Sequence, residues 1–130
     1  MDVKTHENLL AAMQGEAFAY ARYTLFADAA RKEGDSRVAD MFEGLANVEL
    51  HEHFVELAEL AGFVGTTADN LRAVIQEENE EVETTYPAFA EQARATGDVA
   101  AAERFTEIAE DEHEHMKTLE EALERIEIPA

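Results

Sequence analysis

Apolar residues return every three or four positions along this chain, and near the middle of each such stripe the series gives way to acid. The first stripe reads Leu9, Ala12, Glu16, Ala19, Tyr23, Phe26, and the second Val38, Phe42, Leu45, Glu49, Glu52. The third reads Leu71, Val74, Glu78, Glu81, Thr85, Ala88, and the last Phe105, Ile108, Glu112, His115, Leu119, Ala122, Ile126. Steps of three and four predict amphipathic helices. Glycine punctuates them in "KEGD" around Gly34, "LAGFVGTTAD" from Leu60, and "ATGD" around Gly97, each followed by an Asp or Thr suited to capping the next helix. The expectation is four helices over residues 5–33, 36–61, 67–95 and 98–126, with Pro129 marking the end. Each is about 40 Å long at ~1.5 Å per residue. Short connections make helices 1 and 2, and 3 and 4, antiparallel pairs, so the fold class is all-α, a four-helix bundle in one domain.

The two pairs repeat. "NLLAAMQGE" from Asn8 matches "NLRAVIQEE" from Asn70 at an offset of 62, whereas "YTLFADAARKEGD" from Tyr23 matches "YPAFAEQARATGD" from Tyr86 at 63. One extra residue therefore lies between Glu78 and Tyr86. A helix absorbs such an insertion as a π turn, and Pro87, unable to donate to the Glu83 carbonyl, suits one.

Composition narrows the chemistry. The chain has 130 residues, with 30 acidic against 10 basic and a formal charge of −20. Such a field repels nucleic acid and anionic membranes and attracts cations. No cysteine is present, which excludes disulfides and thiolate metal sites. No apolar run reaches the ~20 residues of a membrane span, and the opening "MDVKTHENLL" is unlike a signal peptide, so a soluble cytoplasmic protein is expected.

The interrupted stripes then pose an energetic problem. A buried carboxylate costs several kcal/mol, and no Lys or Arg shares these stripes to neutralise the acids. Bound metal is the strong remaining solution. Carboxylate oxygen with a little imidazole suits iron or manganese. A Glu from each of two helices, with ligands at i and i+3 on the other two, is the pattern of dimetal carboxylate bundles. His51 and His113 fall on the outer faces of their helices, and His6 precedes the core. His53, four residues after Glu49, also approaches the inner face. Because Phe42 pairs with Phe105 and Glu49 with Glu112, the register nevertheless puts Glu52 in the place equivalent to His115. His53 is kept as a supporting or substitute ligand.

Through "GEAFAYARYTLFADAARKEG", the ExxE of helix 3 followed by "YPAFA", and "IAEDEHEH", nearly the whole chain resembles the rubrerythrin family of ferritin-like proteins. Position by position, the resemblance implies that Glu16, Glu49, Glu78, Glu81, Glu112 and His115 hold two irons, with manganese or zinc as substitutes, and the register adds Glu52 as a ligand. It implies that Tyr23 and Tyr86 hydrogen-bond ligand carboxylates; ordinary aromatic packing is the alternative for both. Rubrerythrins proper also carry a Cys-ligated iron in a rubredoxin domain. Lacking cysteine, this chain resembles the rubredoxin-less, erythrin-type branch, whose electrons come from an external donor.

In the family a His usually stands at the Glu52 position. With Glu52 as a ligand, six carboxylates would favour the oxidised pair and lower its reduction potential. The activity implied is that of a di-iron peroxidase reducing hydrogen peroxide to water. The alternatives are a ferroxidase or oxidase using dioxygen, a non-catalytic iron-binding bundle, and an acidic helical interaction module. A homodimer, with or without exchange of helix pairs across the linker Gly62 to Asp69, is also implied.

Overall fold

A computed structural model describes residues 1–128. Six α-helical segments make four rods. The first is α1 (Val3–Lys32). The second joins α2 (Ser36–Val48) through a π-helical stretch, Glu49–Phe54, to α3 (Val55–Ala61). The third joins α4 (Thr67–Glu80) through a second π stretch, Glu81–Thr85, to α5 (Tyr86–Ala95), and the fourth is α6 (Val99–Glu127). The residues flanking both π stretches keep right-handed helical dihedrals, so each composite rod is continuous. Pro129 lies outside the described residues. By contact the chain divides into two compact units, Met1–Val64 and Gly65–Ala130.

The breaks fall where glycine stands, for a definite reason. Gly34, Gly62 and Gly97 have φ of 87°, 63° and 83°, a left-handed conformation that costs glycine least. Beyond each, an N–H reaches back to close the preceding helix: Asp35 to Ala30 O at 2.9 Å, Phe63 to Ala58 O at 3.0 Å, and Asp98 to Ala93 O at 2.8 Å. The following helices start on side-chain caps. Asp35 accepts from the Val38 N–H at 3.0 Å and Thr66 from the Asp69 N–H at 3.1 Å. Asp98 instead accepts from the Thr96 hydroxyl at 2.8 Å.

Inside each hairpin, small residues let the rods approach. Ala27, Ala30, Ala39, Ala46 and Ala58 are buried in the first unit, with Met13, and Ala90, Ala93 and Ala102 in the second. Above them the sequence repeat becomes a repeat in space. Phe42 meets Tyr23 and Phe26 with ring centroids 5.9 and 5.6 Å apart. Phe105 meets Tyr86 and Phe89 at 6.1 and 5.5 Å. A two-rod hairpin covers only one side of each rod, and large side chains such as Phe26, Leu45, Val74 and Phe89 stay exposed.

Candidate metal centre

In the first unit, α1 supplies Glu16 and the second rod supplies Glu49 and His53. The His53 Nδ1 lies 3.5 Å from Glu16 Oε2 and 3.6 Å from Glu49 Oε1. One ligand atom from each of the three lies within 4.8 Å of the others, the separation a single metal ion spans. Glu16 and Glu49 are half-buried, while the imidazole is half-exposed.

Here the structure departs from the register expectation. Glu52 and His53 are both exposed, but it is His53 that groups with Glu16 and Glu49. The cause is the π stretch that starts at Glu49. A π turn takes one more residue than an α turn, so the fourth residue after Glu49 arrives where the third would in a regular helix. The sequence carried a signal for this. His51-Glu52-His53 recurs as His113-Glu114-His115 at an offset of 62, although Glu49 and Glu112 are 63 apart. Leu50 is thus an inserted residue in the first half, and Glu52 corresponds to Glu114, which is exposed and bonded to Lys117 at 3.0 Å. The lowered reduction potential expected from Glu52 loses its premise.

In the second unit, α4 and its π stretch supply Glu78 and Glu81, and α6 supplies Glu112 and His115. The expected extra residue between Glu78 and Tyr86 is absorbed by the π stretch Glu81–Thr85, directly before Pro87. His115 Nδ1 lies 3.7 Å from Glu78 Oε2. Burial pushes the Glu112 carboxyl up to about 7. A hydrogen bond with Glu81 and the charges of Glu81, Glu78 and Glu77 push the same way. Two carboxyls can share that bond only when one keeps its proton. Tyr86 is raised by burial, then by the charges of Glu112 and Glu81, so its phenol stays protonated beside them. Tyr23 is half-buried and stacked on Phe42.

Three buried carboxylate oxygens have no hydrogen-bond partner: Oε2 of Glu16, of Glu78 and of Glu112. Buried polar atoms are nearly always satisfied, and an orphaned carboxylate oxygen is costly. Each of the three belongs to a group with a neighbouring Glu or His. The donors therefore fit divalent cations of the iron and manganese type, which take carboxylate oxygen and imidazole nitrogen together.

A family model described as rubrerythrin matches residues 47–123. The rubrerythrin of Porphyromonas gingivalis is 43% identical over 125 residues, a match covering 86% of this chain and 62% of that protein. Rubrerythrin-1 of Clostridium acetobutylicum is 35% identical, with 95% of this chain and 72% of that protein covered. Among solved structures, fully reduced, all-ferrous nigerythrin matches with 32% identity and a TM-score of 0.48, covering 97% of this chain and 69% of that one. The chain thus spans less than two thirds of the length of the Porphyromonas protein.

Proposed function

Because this chain belongs to the rubrerythrin family, we propose that it is a non-haem di-iron peroxidase that reduces hydrogen peroxide to water with electrons from an external donor. The observation that carries the reading is the set of three orphaned, buried carboxylate oxygens, each grouped with further Glu or His. The proposed ligands are Glu16, Glu49 and His53 from the first hairpin and Glu78, Glu81, Glu112 and His115 from the second. When bound, an iron pair supplies the two electrons that peroxide takes up and polarises its O–O bond.

The chain's own groups have separate tasks. Glu16, Glu49, Glu78 and Glu81 offer negative charge where it is otherwise unmatched. His53 and His115 offer neutral nitrogen, one in each hairpin. Glu112 retains a proton on its carboxyl near neutral pH and must release it to become a ligand, so metal uptake frees a proton. Tyr86, kept as a phenol, is suited to donate to one of the carboxylates around it and hold its orientation. Tyr23 occupies the matching place in the first hairpin. These 130 residues hold no cysteine, so the electrons are taken to come from a group outside them. No helix among the described residues is long and apolar enough to cross a membrane.

Stopped-flow oxidation of the iron-loaded, reduced protein tests the reading. Peroxide should oxidise it at least tenfold faster than dioxygen at equal concentration. A faster reaction with dioxygen would make it an oxidase or ferroxidase. Iron that binds without reacting with either would make it an iron-binding bundle.

A further inference from the structure

The two hairpins offer unequal sets of ligands. Both contain orphaned carboxylate oxygens, so both call for a cation. They differ in how far the donors are already gathered within each hairpin.

In the first hairpin three donors converge. His53 Nδ1 lies 3.5 Å from Glu16 Oε2, on the facing rod, and 3.6 Å from Glu49 Oε1, on its own. The π stretch Glu49–Phe54 contains both Glu49 and His53, and its wider turn brings the two to one face. Among the described residues, Glu16, Glu49 and His53 are the set whose ligand atoms all lie within 4.8 Å of one another.

The second hairpin is arranged differently. Its π stretch is Glu81–Thr85, while Glu112 and His115 stand on the unbroken helix α6. His115 Nδ1 approaches Glu78 Oε2 at 3.7 Å. Glu112 is hydrogen-bonded to Glu81, a contact that must open before the two can share a metal ion. Here the ligands form two pairs and not one cluster.

We propose that metal loading is ordered: the first hairpin takes up the first ion on Glu16, Glu49 and His53, and the second hairpin fills afterwards. Attraction at a distance does not separate two acidic hairpins; arrangement at contact distance does. A site whose ligands already stand together in the metal-free fold loses little binding energy to ordering them. The second hairpin must first break a bond between two of its own ligands and bring its pairs together, and that cost falls on its affinity.

The order rests on these residues being metal ligands, as in the peroxidase reading, but not on the reaction done there. Its test therefore uses zinc, which takes imidazole nitrogen and carboxylate oxygen together, with no peroxide or reductant. Nitrogen NMR of the full chain carrying isotope-labelled histidine reads which ring is ligated at each zinc ratio, and His53→Gln and His115→Gln assign the two signals. Up to one zinc per chain the His53 ring should shift alone; the His115 ring should follow only during the second equivalent. In calorimetry, His115→Ala should keep the tighter binding step. His53→Ala should weaken that step roughly tenfold or more, the scale on which even supporting groups of a metal site act. The wild-type titration decides the order even where a variant folds poorly. A His115 shift before or together with that of His53, or one zinc per chain that shifts neither ring, would overturn the proposal. So would a folded His115→Ala that lost the tighter step while His53→Ala kept it. Failure of the reduced iron protein to react with peroxide would remove the peroxidase reading and leave the order standing.

Discussion

The choice between Glu52 and His53 turns on one residue and has a direct test. His53→Ala should lose about half of the bound iron or more, because it removes the imidazole that sits with Glu16 and Glu49. Glu52→Ala should keep full iron, since that side chain stands outside the Glu16–Glu49–His53 group. Metal analysis of both purified variants decides the matter; the opposite pattern would restore Glu52.

Glu112 makes a second residue-scale prediction. Its pKa in the folded chain, about 7, stands above the ordinary 4.5, so the folded state holds the proton more tightly than the unfolded one. The stability this contributes is fully present below about pH 4.5 and is lost as pH rises through about 7. The melting temperature of metal-free protein should therefore fall between about pH 5 and pH 8. Glu112→Gln, which cannot ionise, should flatten that part of the profile. A parallel fall in both proteins would assign it to other groups. Glu16, Glu49, Glu78, Glu81 and Glu112 were legible as an interior acidic set because each interrupts an apolar stripe. His53 was not, because its inward position depends on where the helix changes pitch.

At the scale of the element, the two π stretches do complementary work. One absorbs the extra residue before Tyr86 and the other absorbs Leu50. Both begin at an acidic residue of the site, Glu81 and Glu49. Deleting Leu50 should turn the second rod into a regular helix, with the residues of Glu49 and His53 at i and i+3, as Glu112 and His115 are in α6. The deletion should retain iron and gain helical regularity. Iron loss as severe as that of Glu49→Ala would show that the π turn is needed for more than register. The helix limits themselves were readable to within two residues, apart from these internal changes of pitch. Left-handed glycines and Asx or Thr caps act locally, and local preferences are written in local sequence. An insertion mid-rod is different. Its existence follows from counting, but the turn that absorbs it is set by which side chains the neighbouring rod accepts.

For the whole molecule, the unmatched carboxylates mean that metal should act as a structural element. Ferrous or manganous ions at ~100 times their Kd should stabilise the fold by about 2.7 kcal/mol, several degrees in melting temperature. Sodium chloride at equal ionic strength should do much less, since it screens charge without coordinating oxygen. Equal stabilisation by both would reduce the acidic interior to a general charge effect. Glu16→Ala/Glu78→Ala, which removes one orphaned oxygen from each hairpin, should raise metal-free stability and abolish the metal response.

By itself the sequence determined the all-α class, the four rods and their two-fold repeat, the points where the chain turns, and the level at which acid replaces core. Each of these rests on periodicity, counting or a local dihedral preference. Tertiary structure alone decided which of the adjacent Glu52 and His53 joins Glu16 and Glu49, that three carboxylate oxygens are left unmatched, and that burial pushes the Glu112 carboxyl up to about 7. The reason is geometric. One residue is ~100° of rotation in a helix, and whether a rod spends an extra residue in a π turn is settled by packing across the hairpin, where no local pattern reaches.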